Sequence, residues 1–271
     1  RRPSDSRHFP PEAAVQREQT GNRGDGRHDQ VERNERVFVQ HVDDRLLELS
    51  GGTPASSGDE SLIRKLKSGP LPMVTSVSEV LRFREILESV KADLAQEGVP
   101  FDDAIPFGIM VEVPAVALQI DQFAPHVDFL SIGSNDLTQY TLAVDRGNDL
   151  VGHLYDELHP GVLHLIARTI NVGHAHGLSV SLCGELAGNP LATPILLGLG
   201  LDEFSLSPVY LPEVKQVIRG VRMDDARRLA EKCLAAPTAE VVRCLAESWL
   251  EDRDCHLTTL MANGNGQGNA N

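Results

Sequence analysis

Between about residue 65 and residue 250 the chain alternates short apolar runs with segments of helical period, and few architectures accept that pattern. The runs are LPMVTSV, ending at Val77, FGIMVEV, ending at Val113, VDFLSIG (127–133), LSVSLC (178–183) and DEFSLS (202–207). After the first run, Ser76 and Glu79 stand at capping-box spacing. Val80, Phe83, Leu87, Val90 and Leu94 then recur at helical period, and Gly98 is the expected stop. Further helices are expected over AVALQIDQF, from about Gly161 to His176, and over PLATPILLGLG. Two more, at 212–235 with a break near Gly220 and at 238–252, end the pattern. Near-continuous apolar strands separated by helices predict a parallel sheet covered on both faces. That leaves a (β/α) barrel or a doubly wound sheet.

The rest of the chain is of another kind. Residues 1–36 hold eight Arg and seven Asp or Glu, with no Leu, Ile or Met, which cannot bury enough surface to offset the entropy of ordering. VFVQHV offers one strand at most, and GGTPASSGDES reads as linker. Residues 1–69 are therefore expected to be a disordered polar leader and linker, 70–252 the folded domain and 253–271 a flexible tail. Lys and Arg number 25 against 39 Asp and Glu, a net charge of −14, which argues against nucleic acid or an anionic membrane as the main partner. No apolar run approaches the roughly 18 residues of a membrane span. Cys183, Cys233, Cys244 and Cys255 form no CxxC pair and fit a reducing cytoplasm. The last three recur at intervals of eleven without a His or acidic ligand pattern and read as buried or incidental thiols.

In either parallel architecture ligands sit at the carboxyl ends of the strands. Glu112, the Ser134-Asn135-Asp136 cluster and Cys183-Gly184-Glu185 fall at three successive strand ends. Glu112 and Asp136 are hard oxygen ligands suited to Mg²⁺, which takes one or two carboxylates together with substrate phosphates. Arg146 offers a bidentate grip on a phosphate or carboxylate. Cys183 is placed for acid–base or nucleophilic work, and an ordinary thiol is protonated at neutral pH. Metal, arginine and proton donor together describe phosphoryl transfer with enol–keto chemistry. Taken singly, Asp136 reads as a helix cap for LTQYTL, Arg146 as a surface arginine and Cys183 as an inert core thiol. Glu112, set among Met110, Val111 and Val113, reads as a ligand even alone, because a buried unpartnered carboxylate is costly.

GIMVEVPAVAL, VDFLSIGSNDLTQYTLAVDRGN, LYDELHPGVL, SLCGELAGNP and LGLGLDEFSLSP resemble the C-terminal, phosphoenolpyruvate-binding domain of enzyme I. Enzyme I is the phosphoenolpyruvate–protein phosphotransferase of the bacterial sugar phosphotransferase system. The resemblance runs from about Pro70 to Leu250 and implies a (β/α)8 TIM-type barrel. It implies that Glu112 and Asp136 hold Mg²⁺, that Asn135 and Arg146 hold the phosphate, and that Cys183 protonates the enolate carbon as pyruvate forms. Gly133 and Ser134 would line the same loop. It further implies a phosphohistidine domain and a small phosphocarrier protein as partners, and a homodimer.

The resemblance begins at what would be the fourth strand, so an incomplete barrel of about five of eight strands is expected, with open edges that call for a partner. No glycine-rich loop leading into Ser-His, the family's phosphohistidine segment, occurs in the sequence. An asparagine, Asn189, stands where family members usually carry an acid. His159, His174 and His176 read as loop or helix-end residues. Two functions remain open at this point: a phosphoenolpyruvate-dependent, Mg²⁺-requiring phosphotransferase domain, or a catalytically inactive remnant that keeps the rim as a dimerisation or interaction module.

Overall fold

The computed structural model describes residues 70–252. The expected leader, linker and tail, with VFVQHV and Cys255, lie outside the described residues.

Four parallel strands form the sheet: β1 (Gly108–Val111), β2 (Phe129–Gly133), β3 (Ser179–Cys183) and β4 (Glu203–Ser205). Each pairs with the next in sequence, in the order β1-β2-β3-β4. A doubly wound sheet reverses its order at a switch point, whereas a barrel wall does not. The described residues are therefore an arc of a (β/α) barrel.

The expected first strand is the exception. LPMVTSV supplies one bridge, Leu71 with Ile109, through Leu71 N–H to the Gly108 carbonyl (2.9 Å) and Met110 N–H to the Leu71 carbonyl (2.8 Å). Pro70 and Pro72, on either side of Leu71, have no N–H to extend the ladder. Met73 turns the chain off the extended path with φ of 53°. Helix α1 (Val77–Glu97) then takes Val77, its start fixed by the Ser76 N–H donating to the Glu79 carboxylate (2.9 Å).

Period and punctuation account for most of the helices. In α1, Val80, Phe83, Leu87 and Val90 form the buried stripe, and Gly98 closes the helix in the left-handed region. AVALQIDQF divides at Gln119 into α2 (Pro114–Leu118) and α3 (Ile120–Phe123). Helix α4 (Ser134–Leu142) leaves the end of β2 directly. Helix α5 (Pro160–Ala175) begins at His159, whose Nδ1 accepts from Gly161 N–H (3.1 Å). His174 lies in its last turn and His176 at its C-cap, so all three histidines sit at loop or helix-end positions. Helix α6 (Thr193–Leu199) packs against α8 (Met223–Leu234), and α7 (Leu211–Gly220) stops at the expected break. Helix α9 (Ala239–Glu251) is capped by Thr238.

The pleat sorts the side chains by face. Ile109, Val111, Leu130, Ile132, Val180 and Leu182 are fully buried. Leu130 and Val180 reach Gly173 of α5, so this alternate set points outward, under the helices. Register then puts Met110, Ser131 and Ser181 on the inner face, followed toward the strand ends by Glu112, Gly133 and Cys183. The apolar set holds the wall together, at about 2–5 kcal/mol per large residue truncated to alanine. The inner set is free to carry chemistry.

Candidate active site

Gly133 pairs with Cys183, and Glu112 follows Val111, the partner of Ile132. The three residues therefore stand in one row at the carboxyl edge of the sheet. Gly133 keeps the row tight: a Cβ there would lie 2.9 Å from Glu112 Oε2 and 3.1 Å from Met110 Sδ.

Glu112 is buried, 3% exposed. Its Oε1 accepts a short hydrogen bond from the N–H of Met73, delivered by the left-handed turn that ends the Leu71 bridge. Burial, above all, pushes its carboxyl above the usual range, and the neighbouring Asp136 carboxylate adds to the shift. Asp136 lies in the first turn of α4, near enough to Glu112 for its charge to act on that carboxyl. The expected cap role of Asp136 is not found: the helix begins at Ser134, with Gly133 at the cap and no side-chain capping bond.

Cys183 closes the row. Its thiol sits 3.9 Å from Ser131 Oγ, and burial raises its pKa, with the charges of Glu112 and Asp136 adding smaller contributions in the same direction. The thiol is therefore held as S–H through neutral pH.

Asn135 joins this row to the next turn. Its Oδ1 accepts from the backbone N–H of Glu185 (2.9 Å), which leaves the two N–H groups of the carboxamide as the free donors. The turn needs Gly184, with φ of 112°, because a Cβ there would lie 2.3 Å from Ser134 Oγ and 2.6 Å from Asn135 Oδ1. Arg146 reaches Glu185 Oε1 at 3.3 Å, a half-exposed pair at the rim. The five residues singled out in the sequence thus fall at one rim: Glu112 and Asp136 act electrostatically on each other and on Cys183, and Asn135 and Arg146 both reach Glu185.

Two further groups were not legible in the sequence. Glu157 is half-buried, and its Oε1 accepts from Ser134 Oγ (3.0 Å) and Tyr155 Oη (3.3 Å). Desolvation raises its carboxyl above the ordinary range, and the Glu185 charge adds to the shift. The Tyr155 phenol, also pushed up by burial, stands 3.3 Å from the Asn135 carbonyl. The signal lay in LYDELHPGVL, where an acid stands between a tyrosine and a helix start.

The phosphoenolpyruvate-binding domain of PEP-utilising enzymes matches residues 70–223, more than half of the chain and all of the rim residues from Glu112 to Glu185. The chain belongs to that family.

Within the PEP-utilising family, the similar curated proteins carry the name phosphoenolpyruvate-protein phosphotransferase. The one from Haemophilus influenzae is 49% identical over 179 residues, 66% of this chain and 31% of that protein. The one from Buchnera aphidicola of Baizongia pistaciae is 51% identical over 167 residues, 62% of this chain and 29% of that protein. The one from Haloferax volcanii is 50% identical over 176 residues, 65% and 31%. This chain thus spans about a third of the length of those relatives. Among solved structures, a citrate lyase from Burkholderia xenovorans superposes with a TM-score of 0.42 at 16% identity, covering 73% of this chain and 69% of that one. No helix among the described residues is long and apolar enough to cross a membrane.

Among the described residues no group of three or more His, Cys, Asp or Glu side chains is arranged to hold a metal ion. Glu112 and Asp136 are a pair. Two neighbouring carboxylates, one of them buried, fit a divalent cation that draws its other ligands from a phosphate and water.

Proposed function

We propose that this chain is the phosphoenolpyruvate-binding part of a phosphotransferase that moves the phosphoryl group of phosphoenolpyruvate to a histidine on a separate domain, releasing pyruvate. The observation that carries this reading is the row of Glu112, Gly133 and Cys183 at three adjacent strand ends, with Asp136 against Glu112. Mg²⁺, held by Glu112 and Asp136, would supply charge neutralisation for the phosphate and the developing enolate. Asn135 offers its carboxamide N–H groups to the phosphate, and Arg146 offers its guanidinium by exchanging Glu185 for the substrate.

The histidine ring nitrogen attacks phosphorus, and the bond from phosphorus to the enol oxygen breaks with its electron pair on oxygen. The pyruvate enolate then takes the Cys183 thiol proton at its methylene carbon, and the thiolate recovers a proton from solvent. The raised thiol pKa suits a donor, and its main cause, burial, persists when a cation neutralises the carboxylates. Similarity to enzyme I extends the proposal to a small phosphocarrier protein as the next acceptor, to a homodimer and to a cytoplasmic setting in sugar uptake.

One observation favours a second reading. Arg146 is already paired with Glu185, while Glu112, Asp136, Glu157 and Glu185 bring negative charge to the same rim. That balance is thin for a trianion, and it suits an interaction module that no longer turns over. Pyruvate release with an added phosphohistidine domain, lost in Cys183→Ala, supports the enzyme. A chain that binds the domain and releases no pyruvate supports the module.

A further inference from the structure

Ser134 stands between two acceptors. Its hydroxyl lies 3.0 Å from Glu157 Oε1 and 3.3 Å from Asn135 Oδ1, and it has one proton to give. Asn135 Oδ1 is also the acceptor for Glu185 N–H, the bond that turns the carboxamide so that its two N–H groups point away from the Glu185 turn. That oxygen has two lone pairs, so the Ser134 hydroxyl and the Glu185 N–H both stand against it without displacing one another.

The loop that carries Glu157 is braced independently of the rim. Asp156 Oδ2 takes Arg243 of α9 at 3.0 Å, and Asp156 Oδ1 takes Leu158 N–H at 3.0 Å. His159, two residues on, begins α5. Tyr155 on the same loop donates toward Glu157 Oε1 and the Asn135 carbonyl, each at 3.3 Å.

Resting on the substrate reading above, we infer that Glu157 is a positioning residue: it fixes the Ser134 hydroxyl and the Tyr155 phenol, the two groups that stand against Asn135, and so holds the Asn135 carboxamide toward the phosphate of phosphoenolpyruvate. Glu157 touches no substrate. Its effect reaches the ligand through the orientation of one amide.

The test is calorimetric binding of phosphoenolpyruvate, with saturating Mg²⁺, to the 271-residue chain and its variants. Glu157→Met keeps the volume and removes the acceptor, and is expected to weaken binding about tenfold, while the affinity for Mg²⁺ alone is unchanged. Glu157→Gln, which still accepts from Ser134 and Tyr155, is expected to bind within about threefold of the parent. Glu157→Met binding like the parent would overturn the inference, and so would Glu157→Gln binding as weakly as Glu157→Met, since the glutamine oxygen restores the bonds from Ser134 and Tyr155. If Glu157→Met does not fold, Glu157→Leu replaces it with the same criteria. A parent chain that binds no phosphoenolpyruvate would instead contradict the substrate reading, a separate outcome.

Discussion

The carboxylate of Asp136, in the first turn of α4, stands beside that of Glu112, which is buried past the end of β1. Glu112 is the group whose pKa is raised, so without a cation its contribution to stability is full at low pH and is lost as pH rises through its folded value. Asp136→Asn removes the like charge and is expected to raise the melting temperature of the metal-free chain by a few degrees at pH 7 to 8. The same variant is expected to lose the stabilisation that Mg²⁺ with phosphoenolpyruvate gives the parent. Thermal scans across pH, with and without both ligands, check both outcomes.

Cys183 is expected to separate binding from chemistry. Cys183→Ala removes a proton donor and leaves the carboxylates in place, so pyruvate release with an added phosphohistidine domain should fall about 10²-fold or more, with substrate affinity within a few-fold of the parent. The rate in the parent should be indifferent to this thiol through neutral pH. It should decline only in alkali above the ordinary thiol range, because the pKa is shifted upward. Rate against pH, measured beside binding, distinguishes a donor from a packing residue.

In the proposed complex Arg146 leaves Glu185 to grip the phosphate, so changes at the two members of the pair are expected to act with opposite sign. Losing a charge-assisted contact costs about 1.5–3 kcal/mol, equivalent to about 10- to 100-fold in affinity. Arg146→Gln is therefore expected to weaken phosphoenolpyruvate binding by that factor. Glu185→Gln, which releases the arginine from its half-exposed partner, is expected to tighten binding slightly. Calorimetry on the two variants reads both.

Gly184 is where the backbone itself sets the site. Its φ of 112° and the overlap of any Cβ with Ser134 and Asn135 make Gly184→Ala costly, by about 1–3 kcal/mol for the conformation alone. The melting temperature should fall by several degrees, and phosphoenolpyruvate binding should be lost even at temperatures where the chain stays folded. Circular dichroism melts and calorimetry on one sample check the pair of outcomes.

Features carried by local pattern were legible in the sequence. The stripe of Val80, Phe83, Leu87 and Val90 and the stop at Gly98 follow from helical period and one left-handed residue. Glu112 and Cys183 stood out because a parallel sheet gathers its strand ends, and no side-chain detail was needed to see it. LPMVTSV misled because its apolar content says strand, while Pro70, Pro72 and the turn at Met73 allow a single bridge. Glu157 was illegible because its burial comes from a loop folding against Ser134, 23 residues earlier. The pairing of Arg146 with Glu185, 39 residues apart, likewise has no local signature. Asp136 matched the pattern of a helix cap, but its carboxylate faces Glu112 instead.

The central claim is that the rim is an assembled site for phosphoenolpyruvate with Mg²⁺, and thermal unfolding of the 271-residue chain tests it most directly. A ligand at about 100 times its dissociation constant stabilises the state that binds it by about 2.7 kcal/mol. For a domain of this size that is a rise of about 5–10 °C. The expected result is one cooperative transition that shifts upward by that amount with phosphoenolpyruvate and Mg²⁺ together, and by little with either alone. A transition indifferent to the pair, at concentrations that saturate enzymes of this family, would contradict the claim.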